Sequence, residues 1–540
     1  MQKLKILVSR AFSAVELIVI VSLFMALFAN TAFFTSAAKA YQLDTENILF
    51  VISLFVFITG IFILTLSVLC QNFLIKPVLI TFLLLSSLIA GFMNLYGVII
   101  DYKMIDNVLE TDLAEIRDLI STPLVLAVIF LGILPSVLIY FAKLTRPGWK
   151  EGAFSRLKLF GITACVMVAL IFTFSAHYAS LFRMQRALMA QINPTHAIFS
   201  LGKLVRHTIR STSFPHMIVG ADARIHKADV HKELVIMVVG ETARADHFSL
   251  NGYERETNPL LKREKVINFP DFWSCATTTA QSVPCMFSHY TRAEFDRRKA
   301  KVADNVLDIL NRAGVSVLWR DNNSSSKGVA DRVTFEGFQS AASNPVCDTE
   351  CRDEGMLVTL QDYIDKHSNG DILIVLHQMG NHGPAYYKRY PAAFEKFTPV
   401  CKTSDLGSCS SEEIINAYDN AILYTDYFLS RVIKLLKQND NAFETAMIYA
   451  SDHGESLGEK GLYLHAMPYF LAPDTQKHVP ALMWVGKNFD HEYLVKMEKR
   501  RKKRLSHDNI FSTLLGLFEV RSDSYDLKLD ILDHSQPESG

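Results

Sequence analysis

The chain has 540 residues, half of them hydrophobic, with 55 basic and 55 acidic side chains and a formal net charge of zero. That length exceeds one ordinary domain, and the balanced charge gives no argument for a nucleic-acid partner. Uncharged runs crowd the first third, and the remainder has the composition of a soluble protein.

Five uncharged runs open the chain: 17–38, 47–75, 77–100, 119–142 and 159–182. Each is long enough to cross ~30 Å of hydrocarbon as a helix. The first exceeds a signal-peptide core, and four more follow it. Buried helices of a soluble protein would keep a polar face. Lys3, Lys5 and Arg10 precede the first run, Lys76 follows the second, and Lys143, Arg146, Lys150, Arg156 and Lys158 separate the fourth from the fifth. The loop between the third and fourth is acidic, with Asp101, Asp106, Glu110, Asp112, Glu115 and Asp118. Positive loops stay inside, so a cytoplasmic N-terminus and an exported remainder are expected. The basic residues after the fifth run, from Arg183 to Arg210, pull the other way, but long exported domains tolerate such charge.

Cys70 and Cys165 fall within the runs. The other six cysteines form three close pairs, Cys275/Cys285, Cys347/Cys351 and Cys401/Cys409, none with zinc-type C-x-x-C spacing. An even number in an oxidising compartment points to disulfides, although six cysteines allow fifteen connectivities. The expected organisation is a five-helix transmembrane domain at 1–182, a bridging helical linker at 183–230 and an exported domain at 231–540. Within the linker, Ile198, Leu201, Leu204 and Val205 recur at helical spacing among basic residues, the pattern of an interfacial helix or of an ordinary amphipathic linker.

From Glu233 the pattern alternates. Residues 234–239, 315–319, 372–376, 446–450 and 481–485 read as strands. Val302, Val306, Ile309 and Leu310 mark a helix face that Gly314 can end, and a long helix is expected over 412–436. Alternating strands and helices predict an α/β domain with a mostly parallel sheet. Ligand sites in such sheets lie beyond the carboxyl ends of strands. Four strands end at Glu241, Asp321-Asn322, His377 and Asp452-His453. Two carboxylates and an imidazole make a mixed oxygen and nitrogen set suited to zinc or manganese. The segment from Ser274 to Phe287 is dense in hydroxyls, and Thr277, Thr278, Thr279 and Ser282 are all candidates for a nucleophile activated by a metal. A threonine-rich strand would look the same. His382 and His465 suit a second metal or acid/base work, and Lys327 could neutralise a phosphate oxygen. The basic run 499–504 reads as a solvated face or a contact for anionic headgroups.

Val239-Gly240-Glu241-Thr242-Ala243-Arg244, Ser282-Val283-Pro284-Cys285-Met286-Phe287, Asn381-His382-Gly383-Pro384 and Ser451-Asp452-His453-Gly454-Glu455-Ser456-Leu457-Gly458 together resemble the phosphoethanolamine transferases that modify lipid A, a family that includes the mobile colistin-resistance transferases. The resemblance covers nearly the whole chain and implies an alkaline-phosphatase-like (sulfatase-like) fold for the exported domain. It places the nucleophile on Thr279, zinc ligands on Glu241, Thr279, Asp452 and His453, and a second metal or headgroup site on His382 and His465. Donor-headgroup contacts fall on Asn107, Thr111, Glu115, Ser324 and Lys327. The implied reaction moves phosphoethanolamine from phosphatidylethanolamine to a lipid A phosphate through a threonine adduct, in a monomer of the Gram-negative inner membrane with its catalytic domain in the periplasm, and confers polymyxin resistance. Other envelope acceptors (core sugar, glucan or protein), a sulfatase or phosphodiesterase, and a non-enzymatic scaffold are the rival readings. A sulfatase motif would need arginine where Met286 stands, and a scaffold would have shown a lost ligand. Departures from the family are Ala276 and Ala466 at positions usually glycine, and Ser326 and Ala330 where many members carry a further cysteine pair, which leaves three disulfides.

Overall fold

The computed structural model describes residues 11–41, 47–109, 113–145, 147–184, 186–211, 215–225 and 231–532. The chain divides into two compact units, one formed by Met1–Ile105 with Ile120–Leu204, the other by Asp106–Leu119 with Val205–Gly540.

Among the described residues, the first unit holds four helices long and apolar enough to cross a membrane: Asn47–Leu69, Ile75–Tyr96, Thr122–Phe141 and Trp149–Thr173. The first uncharged run differs from its expected single span. It forms Ala14–Phe28 and Thr31–Ala40, bent by 56°, and counts as a fifth span only when the pair is taken together. The cause is Asn30, buried in the middle of the run. Its amide donates to the carbonyls of Met25 and Asn193, while Asn193 donates to those of Ala29 and Ser86. Buried amides need such partners, and carbonyls at a helix break supply them. The last span also starts earlier than its uncharged run, at Trp149, and breaks at Phe174 before Ser175–Met184. The amphipathic segment is a helix, Thr195–Ser211, with Leu204 buried and Leu201 and Val205 exposed.

In the second unit a seven-stranded sheet is built from β1 (Glu233–Gly240), β2 (Ile267–Phe269), β3 (Ser316–Asp321), β4 (Thr334–Gly337), β5 (Ile372–His377), β6 (Glu444–Ser451) and β7 (Ala481–Val485), in the order β2-β7-β6-β1-β5-β3-β4. Strands β6, β1, β5, β3 and β4 are parallel, and β7 and β2 close one edge antiparallel. Leu234 to Val239 are all fully buried, which is what an unbroken apolar run means in a sheet covered on both faces. Val235, Met237 and Val239 pack with Leu307 and Leu310 of one helix and Leu514 and Leu515 of another.

Helix α1 (Thr279–Met286) makes up the second half of the hydroxyl-rich segment, so that segment is not a strand. Val302 ends the short helix Arg297–Val302, apart from the face on which the sequence pattern put it. Asn305 then starts α2 (Val306–Ala313) with a capping box to Asp308, and Gly314 ends it in the left-handed conformation. Helix α3 (Ser411–Asn439) is opened by a Ser410/Glu413 capping box and buries Ile422, Phe428, Leu429, Val432 and Leu436, each contributing about 1.5–3 kcal/mol. Helix α4 (Asp508–Leu517) closes the core. Disulfides join Cys275 to Cys285, Cys347 to Cys351 and Cys401 to Cys409.

Candidate active site

Strand register brings the polar strand ends together. Ser451 pairs with Gly240, Val239 with His377, and His377 with Asp321. Glu241, Asp452-His453 and Asn322-Asn323 therefore leave the sheet along one edge. Glu241, Asp452 and His453 are buried, and one ligand-capable atom from each lies within 4.8 Å of the others. His453 Nε2 is 3.5 Å from Glu241 Oε1 and 3.3 Å from Asp452 Oδ2. His453 Nδ1 donates to the Gly454 carbonyl at 2.9 Å, which turns the Nε2 lone pair toward the carboxylates.

The four hydroxyl candidates separate clearly. Thr277 donates to the Met467 carbonyl at 2.6 Å, and Ser282 donates to the Asp452 carbonyl at 2.5 Å. Thr278 is the extended residue before α1, and its hydroxyl is buried without a hydrogen-bond partner. The hydroxyl of Thr279, in the first turn of α1, lies 3.3 and 3.2 Å from the two Glu241 oxygens and 3.2 Å from His453 Nε2. The backbone N–H groups of that first turn carry the positive end of the helix dipole.

The electrostatics fit a cation. Burial raises the Asp452 carboxyl, and the neighbouring Glu241 charge raises it further, to about 6. Burial alone would raise Glu241 as well, but His453, His382, His465 and the Thr242 hydroxyl hold it low. Two fully buried carboxylates side by side are costly unless a positive charge joins them. Asp452 Oδ2 also has no hydrogen-bond partner. Two carboxylates and an imidazole are oxygen and nitrogen donors of the kinds that suit a metal such as zinc.

His382 and His465 belong to the same cluster. Their rings are 5.5 Å apart, and His465 is 4.2 Å from the His453 ring. Lys327 donates to Ser324 Oγ at 2.6 Å, and the Ser324 backbone N–H is bound by the Asn323 side chain. Asn107 is on the helix Tyr102–Leu109 and Glu115 on Leu113–Leu119, while Thr111 lies outside the described residues. Sequence reasoning missed three supports. Asn323 donates to Glu241 Oε2 at 2.8 Å. Thr242 donates to Glu241 Oε1 at 2.5 Å and offers its backbone N–H to Asp452. Glu455 is fully buried, with Oε1 3.2 Å from His465 Nδ1, and burial pushes its carboxyl up to about 8. An acid two residues beyond the Asp452-His453 pair was the available signal for Glu455. Ala466 adopts φ 72°, a left-handed conformation that glycine enters freely and alanine enters with strain, so its departure from the family falls on backbone geometry.

The Sulfatase family pattern matches residues 233–520, and that of Phosphoethanolamine transferase EptA/EptB matches 58–209. Phosphatidylethanolamine transferase Mcr-1 of Escherichia coli is 43% identical over 536 residues, 97% of this chain and 98% of its own length. The chain belongs to the phosphoethanolamine transferases. Phosphoethanolamine transferase EptA of Salmonella typhimurium is 40% identical to this transferase over 95% of each chain. The solved integral membrane lipooligosaccharide phosphoethanolamine transferase A (EptA) from Neisseria meningitidis superposes on it with a TM-score of 0.93 at 34% identity, covering 96% of this chain and 98% of that one. The second unit thus has the alkaline-phosphatase-like fold.

Proposed function

We propose that this transferase moves phosphoethanolamine from phosphatidylethanolamine to a phosphate of lipid A through a covalent adduct on Thr279. The observation that carries the reading is the Thr279 hydroxyl, set against both Glu241 and His453 while Thr277 and Ser282 are spent on backbone carbonyls. Glu241, Thr279, Asp452 and His453 would hold zinc. When bound there, zinc lowers the pKa of the attacking hydroxyl and stabilises charge building on the phosphoryl oxygens.

Thr279 Oγ1 gives its proton to His382 or His465 as it attacks phosphorus, the bond from phosphorus to the diacylglycerol oxygen breaks, and that oxygen takes the proton from the same histidine. Glu455 orients the His465 ring for this transfer. Lys327, held by Ser324, faces the phosphate as a point charge. Asn107, Thr111 and Glu115 take the ethanolamine headgroup, with the Glu115 carboxylate suited to its ammonium. In the second displacement a lipid A phosphate oxygen attacks the same phosphorus, and Thr279 leaves and regains its proton. The working protein is a monomer of the Gram-negative inner membrane, with a cytoplasmic N-terminus and the α/β unit in the periplasm.

Each transfer caps a phosphate and adds an ammonium. Basic groups of a docking peptide gain about 1 kcal/mol each at an anionic surface, so several weakened contacts lower polymyxin binding steeply. Expression in a Gram-negative host should therefore add the mass of phosphoethanolamine to lipid A and raise polymyxin resistance, and Thr279→Ala should abolish both while the protein keeps its fold. Modified lipid A from well-expressed Thr279→Ala would remove the nucleophile assignment. Unchanged lipid A from zinc-loaded wild type, with label on a core sugar, glucan or protein instead, would move the acceptor.

A further inference from the structure

Asp118 comes from the segment Asp106–Leu119, which is part of the same compact unit as the α/β sheet. It is 6% exposed and meets two cations, Lys388 and, at 3.0 Å, Arg389. The Arg389 guanidinium is buried and divides three ways. One amino group binds Asp118, the other pairs with Glu350, and Nε donates to the main-chain oxygen of His382 at 2.6 Å. At the other end of the segment Asp106 pairs with Arg297.

A buried ion pair is an inefficient fastener, because desolvation offsets much of its attraction and apolar contacts would hold the segment as well. What it supplies is direction: a planar guanidinium bound on three edges cannot turn without carrying all three partners. We propose that Asp118 is a positioning residue of the transfer reaction, acting through Arg389 on the backbone of His382, so that the seating of the helix Leu113–Leu119 and the placement of His382 are one event. The proposal rests on His382 touching the donor, as in the functional reading above. Placement errors of about 1 Å change rates by up to about a hundredfold, so a loss of about tenfold is expected when the tether is cut.

The test uses the full chain in nanodiscs containing phosphatidylethanolamine and reads adduct formation on Thr279 against donor concentration. Asp118→Asn should lower kcat/KM for the adduct step about tenfold, and Asp118→Glu should restore most of it. In a His382→Gln background the same Asp118→Asn change should cost less than about twofold, because residues acting through one another are not additive. Equal losses in both backgrounds, or full activity of Asp118→Asn, would overturn the proposal. Should Asp118→Asn fail to fold, Arg389→Lys takes its place in the cycle, since lysine keeps a cation for Asp118 but not the fixed three-way fork. A wild-type chain that forms no adduct would instead bring down the functional reading on which the proposal stands.

Discussion

His507 lies far from Glu241, Asp452 and His453 in sequence yet holds two of their supports. Its Nδ1 accepts the Cys275 N–H at 3.0 Å, and its Nε2 donates to the Ser451 carbonyl at 2.9 Å, one residue before Asp452. Both bonds require the neutral ring. Burial, chiefly, pulls its pKa from 6.5 down to about 3. Between those two values the unfolded chain binds a proton that the folded chain refuses. Stability is therefore intact above about pH 6.5 and falls as the pH drops toward 3, at up to about 1.4 kcal/mol per unit. His507→Gln should lower stability at neutral pH but flatten this dependence. Urea midpoints of the full chain at pH 7 and pH 5 should converge in the variant relative to wild type, and an unchanged gap between them would mean that another group carries the acid sensitivity.

The loop after β5 shows what a single backbone element does for the site. Gly380 has φ 51°, and a Cβ there would sit 2.8 Å from the Glu241 carbonyl oxygen and 3.0 Å from its nitrogen. Asn381 already donates to that carbonyl, and Asp353 accepts from the Gly380 N–H. Gly380→Ala should therefore displace Glu241, cost about 1–3 kcal/mol of stability and weaken zinc binding about 10- to 100-fold, as read by metal retention after dialysis. This loop also marks how far the sequence could be read. Strand ends at Glu241, His377 and Asp452 were legible because apolar runs stopped abruptly at polar residues. Thr279 was not separable from Thr277, Thr278 and Ser282 by residue type. Only the partners of each hydroxyl distinguish them, and those partners, such as Met467, come from remote loops. The break at Asn30 was hidden for the same reason, since it depends on Asn193, 163 residues away.

For the molecule as a whole, the unit that carries the site is not one stretch of chain. It includes Asp106–Leu119, which lies between two apolar spans in sequence. A chain beginning at residue 183 should still oxidise its six cysteines and bind zinc, because the sheet, α1 and the three disulfides are all within it. It should nonetheless form little Thr279 adduct from bilayer phosphatidylethanolamine, having lost Asn107, Glu115 and Asp118. Thiol titration and adduct mass spectrometry on that chain would check both halves, and full donor activity would show that the segment is dispensable.

The parallel register also has a consequence in time. Glu233 pairs with Glu444, and Gly240 with Ser451. At about 5–20 residues synthesised per second, the two halves of that ladder emerge on the order of ten to forty seconds apart. His507 arrives later still. Long-range pairings of this kind form slowly, only after the intervening chain is available. Over that interval of synthesis, Glu241 and Thr279 are present without Asp452, His453 or the His507 brace. On the function proposed above, a nascent or prematurely ended chain would carry Thr279 without the groups that activate it, so phosphoryl transfer would begin only once nearly the whole fold has been made.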